Sequence, residues 1–310
     1  MKVKIKRLKK NVPDILLKLL LVSLFSITTF LLGILFEKTT CTKIYSDYEV
    51  LQGFDREKLS IIESKVIKDS FVINVNWADL GKKMVQDGVI DKALLAQSTT
   101  GTDELPEDLE KYFEEGGDRI EINSSNSHFW VNVLWGLGLA NKNPILEEGD
   151  MMIEDDASIF ASTGGWSLGT GDPMDHYSRH SYITLSKDQQ KAVSEIAGSI
   201  YRSCCGNSTA FPDCNHGMAM LGLIELMVSQ GKSQEEIYKA ALALNTYWFP
   251  QTYLDIAYFF EENGKDFSKA SPKELLSKTF SSADGYSVVS ERVGQIPWPS
   301  LDGEGGSCSA

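Results

Sequence analysis

The sequence predicts a predominantly α-helical protein, with an N-terminal transmembrane anchor followed by an extracytoplasmic domain of many helices. Three observations lead there. Residues 19–36 are apolar and free of charge, and they follow a basic terminus. Two capping boxes, Ser186 with Gln189 and Ser233 with Glu236, stand in front of helix-length segments. Residues 127–140 form an apolar run too long for an ordinary strand, the pattern of a helix buried on all sides.

Lys2, Lys4, Lys6, Arg7, Lys9 and Lys10 make residues 1–14 a basic, cytoplasm-facing terminus. Residues 15–36 carry one cation, Lys18, and are long enough to cross a bilayer. About 20 helical residues at roughly 1.5 Å each span a hydrocarbon core of about 30 Å. A positive flank stays inside, so residues 37–300 are expected outside, held at the plasma membrane by a single pass. A cleaved signal peptide is the alternative. Its apolar region is normally about 7–15 residues, and the stretch Phe36-Glu-Lys-Thr-Thr-Cys41 offers no small-x-small cleavage site. The net charge of −13 becomes −19 once the six N-terminal cations are set aside. A body that acidic repels nucleic acid, which is excluded as a partner. No protein partner can be named from the sequence.

Within the body, Asp55 is placed to cap a helix over residues 56–68, with Leu59, Ile62 and Val66 on one face. Residues 71–77 read as a short strand or an extended entry, and 78–97 as helix interrupted at Gly88. Pro106 opens a short acidic helix closed by Gly116 and Gly117. In the buried helix at 127–140, Gly136 and Gly138 admit a close neighbour. Residues 141–176 lack periodicity and form a long irregular region, a feature that often carries function. Helices are expected over 187–201, 215–230, 234–247 and 251–263, with a last one starting at Ser271-Pro272. Residues 301–310, which include Cys308, read as a flexible tail.

The chemistry concentrates in a Cys/His module at about residues 170–250. Cys204, Cys205 and Cys214 lie within eleven residues of one another, and His216 follows. Thiolate and imidazole together suit copper or zinc. Cys205, Cys214 and His216 are the expected core of the site, since adjacent Cys204 and Cys205 point apart on an extended chain. His176 and His180 share one face if their segment is helical, and are expected to approach the same ion. Met174, Met218 and Met220 add thioethers, but their spacing is that of core filler.

Two other readings stay open. A disulfide of Cys205 with Cys214 would close a short loop and stabilise by about 2–3 kcal/mol. Thiol–disulfide exchange would use Cys204, Cys205 and Cys214 as reactive thiols. Cys214 then sits at a helix start, which lowers a thiol pKa, behind Asp213 as potential N-cap, whose charge opposes this. Glu225 is the only charge in the run 218–228 and is expected to meet a cation on a neighbouring helix.

The segment Arg202-Ser-Cys204-Cys205-Gly-Asn207-Ser, then Asp213-Cys-Asn215 and Gly231-Lys-Ser233-Gln-Glu-Glu236-Ile237, resembles the thiol module of CcmH-type cytochrome c maturation proteins. It is also similar to bacterial lipoproteins with a cysteine-rich loop; the likeness covers about residues 201–245. The resemblance implies a helical hairpin carrying thiols, and by position it gives Cys204 and Cys205 the part of a periplasmic dithiol that reduces apocytochrome. In that family the pair is separated by two residues, whereas here it is adjacent, and Cys214 and His216 have no counterpart.

Gly231-Lys-Ser233 lacks the upstream glycine of a phosphate loop, and no Cys-x-x-Cys-His occurs, so neither a nucleotide nor covalently attached haem is expected. The sequence thus predicts a membrane-anchored extracytoplasmic protein that binds copper or zinc through a Cys/His loop. Its alternatives are a thiol–disulfide module and a disulfide-stapled surface scaffold.

Overall fold

A computed structural model of the chain describes residues 54–152 and 156–301. The expected anchor at 15–36, its basic flank, Cys41, Cys308 and all but the first residue of the expected tail lie outside the described residues. Among the described residues, no helix is long and apolar enough to cross a membrane.

The described body is predominantly helical, and two helices form its centre. These are α5 (Ser127–Ala140) and α9 (Asn215–Ser229), in which nearly every residue is buried. A helix apolar all round has no face to offer water and must be covered on every side. The cover comes from α8 (Lys187–Ala197) and α10 (Gln234–Trp248), which pack on α9, and from α2 (Leu80–Gln86) and α3 (Lys92–Thr100), which pack on α5. The α5–α9 contact is backbone to backbone. A Cβ at Gly138 would be driven into the Met218 carbonyl oxygen, and one at Gly222 would lie 2.6 Å from the Leu134 carbonyl oxygen. Gly138→Ala is therefore expected to force these helices apart and to cost about 1–3 kcal/mol, read as a lowered urea midpoint at unchanged slope.

Local signals explain most of the boundaries. Ser186 and Ser233 each accept from the N3 backbone, and Gln189 and Glu236 return the bond, so both capping boxes form. Gly88 breaks the 78–97 segment into α2 and α3, with Asp91 capping the second. The acidic α4 (Glu107–Glu114) buries Leu109, Tyr112 and Phe113. In α1 (Arg56–Val66) the buried residues are Leu59, Ile62 and Val66, as expected.

Three features depart from expectation. Residues 71–77 do begin as a short strand, β1 (Phe71–Ile73), but its antiparallel partner β2 (Ile120–Ile122), in the register Phe71 to Ile122, was unforeseen. The irregular region contains two short helices, α6 (Pro144–Glu147) and α7 (Pro173–His176). Beyond α11 (Pro250–Glu262), the single expected helix is instead three: α12 (Pro272–Leu275), α13 (Lys278–Ser281) and α14 (Ala283–Val293). Ser271 precedes the first of them without a side-chain cap.

Glu225 also departs from expectation. Its carboxylate is fully buried and is met by two asparagine amides, Asn141 at 3.1 Å and Asn143, rather than by a cation. Burial pushes it up to about 8, against the pull of the Asn143 and Asn141 hydrogen bonds.

Candidate metal centre

The cysteine loop joins α8 to α9 and is fixed at several points. Tyr201 and Ser208 form an antiparallel bridge, and Thr209 N–H donates to the Ile200 carbonyl at 2.9 Å. Tyr201 N–H donates to Leu276 O at 2.9 Å, and Cys205 O accepts from Ala283 N–H at 3.0 Å, which ties the loop to α12 and α14. At its far end, Asp213 O accepts from Ser162 N–H. The loop is therefore a rigid platform between the helices.

Cys214 is the N-cap of α9, with extended backbone, and its Sγ accepts from Gly217 N–H at 3.4 Å. Sequence reasoning gave Asp213 that role. Asp213 is occupied elsewhere: Oδ1 receives Arg202 Nη2 at 2.6 Å, and Oδ2 receives Asn207 Nδ2 at 2.8 Å. The Arg202 side chain is 2% exposed. It donates through Nε to Cys214 Sγ at 2.9 Å, through Nη1 to Asn207 O, and through Nη2 to Phe211 O, both at 3.1 Å. The guanidinium lies flat on the first turn of α9 because residue 217 is glycine; a Cβ there would stand 2.5 Å from it.

Cys204 Sγ is 3.4 Å from Cys214 Sγ. The thiols share their protons unequally. Hydrogen bonds from Cys204 and Cys205 pull Cys214 well below the ordinary thiol value, and His216 and Arg202 add to this. Cys204 is pushed up because it shares hydrogen bonds with Cys205 and Cys214 and is desolvated. For Cys205 the contact with Cys204 pulls down, but its hydrogen bond with Cys214 and burial outweigh that and place it at about 11. Of the three thiols, Cys214 is the one whose environment favours the thiolate, next to a buried cation. Burial opposes the charge of Arg202, yet the Cys214 and Cys205 sulfurs hold its pKa above the ordinary value.

Two sets of ligand atoms converge here, each within 4.8 Å: Cys204, Cys214 and His216, and Cys205, Asp213 and Cys214. All of them are half-buried residues. Both adjacent cysteines therefore take part, each in a different set, with Cys214 common to the two. The thiol nearest the imidazole side is Cys204, where spacing had favoured Cys205. Tetrahedral zinc with sulfurs at about 2.3 Å separates them by about 3.8 Å, so the observed pair needs to open by only a few tenths of an ångström.

His216 is positioned by aromatic packing, its ring centroid 4.5 Å from Phe249 and 5.5 Å from Trp248. The Trp248 indole donates to Ser127 O at the start of α5. His128, next along, has its pKa lowered by burial and by the field of His216, and its Nε2 finds no hydrogen-bond partner among the described residues. Neither His176 nor His180 joins these sets. The helix expected to align them ends at His176, and the two rings face each other instead. Met218 and Met220 are buried core, as their spacing suggested.

Sequence reasoning missed Arg202. A lone arginine before a cysteine pair carries no signal of its own; only the burial of its guanidinium identifies it. Comparison with protein-family models, with curated proteins and with solved structures returns no match for this chain.

Proposed function

We propose that this chain is a membrane-anchored, extracytoplasmic protein that holds a transition-metal ion at Cys204, Cys214 and His216. The observation that carries the reading is the convergence of two sulfurs and an imidazole nitrogen within 4.8 Å, with the pKa of one sulfur, Cys214, pulled down by its neighbours. Thiolate is the form that ligates, so less protonation work stands between this site and an ion than between free cysteines and one. Charge favours zinc over cuprous copper. Arg202 and Asp213 cancel one another, which leaves two thiolate charges when Cys204 also ionises. A divalent ion neutralises them in a half-buried setting, whereas a monovalent one leaves a net negative charge. Three protein ligands leave one tetrahedral position for water or an outside ligand.

The test is metal analysis of the purified full-length chain. Wild type is expected to retain about one tightly held equivalent that disappears in Cys214→Ser and in Cys204→Ser. A metal-free wild type, or a metal content that neither substitution lowers, would overturn the reading.

A second reading is supported by the same pair. A Cys214 thiol of lowered pKa with Cys204 at 3.4 Å is also the geometry of an attacking and a resolving thiol, although the resemblance to cytochrome c maturation modules points to Cys204 and Cys205 instead. It predicts a Cys204–Cys214 disulfide that equilibrates at ordinary thiol-buffer potentials, whereas a structural staple resists reduction. Thiol counting across a glutathione series separates the two.

A further inference from the structure

The two sets of ligand atoms at the cysteine loop share one member. Cys214 belongs to the set with Cys204 and His216 and to the set with Cys205 and Asp213. A covalent bond made by its sulfur therefore takes a ligand from each set at once. Cys204 Sγ lies 3.4 Å from that sulfur. A bond between the two leaves His216 alone in the first set and Cys205 with Asp213 in the second. The Asp213 carboxylate is already engaged, Oδ1 by Arg202 at 2.6 Å and Oδ2 by Asn207 at 2.8 Å. Thiolate is the sulfur form that ligates, and a disulfide has none.

The pair stands close to both arrangements. Two sulfurs on one tetrahedral zinc ion are about 3.8 Å apart, and a disulfide is about 2.0 Å long. From 3.4 Å the sulfurs open slightly for the ion, or close by about 1.4 Å for the bond. The backbone beneath them is pinned by contacts that involve neither sulfur. Tyr201 and Ser208 form their bridge, and Cys205 O accepts from Ala283 N–H at 3.0 Å. Arg202 keeps Asp213 Oδ1, Asn207 O and Phe211 O as acceptors whatever happens at Cys214. Cys205 is turned to the loop, its Sγ 3.7 Å from Asp213 Oδ1 and 3.9 Å from Asn207 O. The lowered pKa of Cys214 makes it the attacking thiol of the three.

We propose that metal binding and a Cys204–Cys214 disulfide are mutually exclusive states of this one site, so that hydrogen peroxide expels the zinc ion and a thiol reductant restores its place. The proposal rests on the metal reading above and joins it to the thiol reading. The Cys214 thiolate attacks one peroxide oxygen; the O–O bond breaks, and the other oxygen leaves as hydroxide and is protonated to water. Cys214 then carries a sulfenic acid. The Cys204 sulfur attacks the Cys214 sulfur, the S–O bond breaks as the S–S bond forms, and a second hydroxide leaves and becomes water. Two thiolates, one peroxide and two protons thus give one disulfide and two waters. The thiolates lose two electrons and the peroxide gains them. The ion, deprived of both anionic ligands, passes to solvent. Two molecules of a thiol reductant reverse the change and become a disulfide themselves.

The test loads the full-length chain with Zn2+, removes the excess and adds hydrogen peroxide in small increments. Free zinc is read with a weak chromogenic chelator, and disulfides are mapped by peptide mass after alkylation. Release of about one equivalent of zinc is expected for each Cys204–Cys214 disulfide formed, with Cys205 still alkylated. Dithiothreitol followed by dialysis against Zn2+ is expected to bring the equivalent back. A Cys204–Cys214 disulfide with the zinc retained would overturn the proposal and leave the metal reading standing. So would thiols that stay reduced, or zinc release with Cys214 in another disulfide or as sulfinic acid. A chain that takes up no zinc before oxidation defeats the metal reading itself, and this proposal with it.

Discussion

Arg202→Gln is expected to shift the alkylation midpoint of Cys214 to higher pH and to destabilise the fold by about 3–5 kcal/mol. Both effects follow from one buried group. The guanidinium donates to the Cys214 sulfur, to the Asp213 carboxylate and to two loop carbonyls from a position 2% exposed. Its removal leaves an uncompensated carboxylate and two carbonyls without their donor. It also leaves the thiolate without its nearest positive charge, although the hydrogen bonds from Cys204 and Cys205, the larger influences on this sulfur, persist. Arg202→Lys is expected to fall between the two. Lysine keeps the charge, but a point-like ammonium cannot span four acceptors arranged around a planar fork. The measurement is iodoacetamide labelling in chelator across pH, with Cys214 read by peptide mass, alongside urea unfolding. A Cys214 profile identical in wild type and Arg202→Gln would show that the arginine is a loop brace only.

The central helices and the capping boxes of α8 and α10 were legible because their signals are local. A capping box is written in four residues, and an apolar run of fourteen residues at 127–140 admits one interpretation. What stayed illegible was decided at longer range or by single dihedrals. β2 is three residues with only Ile120 and Ile122 turned inward, too short to show alternation against its surroundings. In α14 only Val289 is buried, so no apolar stripe marks it. Which of two adjacent thiols faces Cys214 depends on how the turn between Cys205 and Asp213 closes, and that closure is set by Arg202 and Asn207 reaching across it. The histidines share a four-residue spacing that a helix and a tight turn satisfy equally well. Ser178 settles the matter with a backbone conformation that no serine advertises. The sequence thus grouped the cysteines with His216, as the structure does, but it also placed His176 and His180 with them, and these form a separate pair.

Stability is expected to fall as pH rises from about 5 to 9, through Glu225 in the α5–α9 interface. The carboxyl is fully buried and its pKa is raised from an ordinary 4.5 to about 8. Below 4.5 the group is protonated in both folded and unfolded chains and contributes nothing to the pH dependence. Between the two values the unfolded chain releases its proton and the folded one does not, so the folded state binds more protons and loses stability with each rise in pH. Above about 8 both states are ionised and the full cost, about 4–5 kcal/mol, is present. The asparagine amides of Asn141 and Asn143 favour the ionised form, yet two neutral donors do not replace the hydration a carboxylate loses on burial. Glu225→Gln removes the titration while keeping the shape. Other groups that titrate in this range, the thiols and histidines included, are common to both proteins. The decisive quantity is therefore the stability difference between wild type and Glu225→Gln at pH 5 and at pH 9, from urea unfolding. That difference is expected to move by several kcal/mol in favour of the glutamine protein at the higher pH. Parallel stability curves would mean that Glu225 ionises inside the fold at its ordinary pH, and that the interface between these two helices holds a charge at no cost.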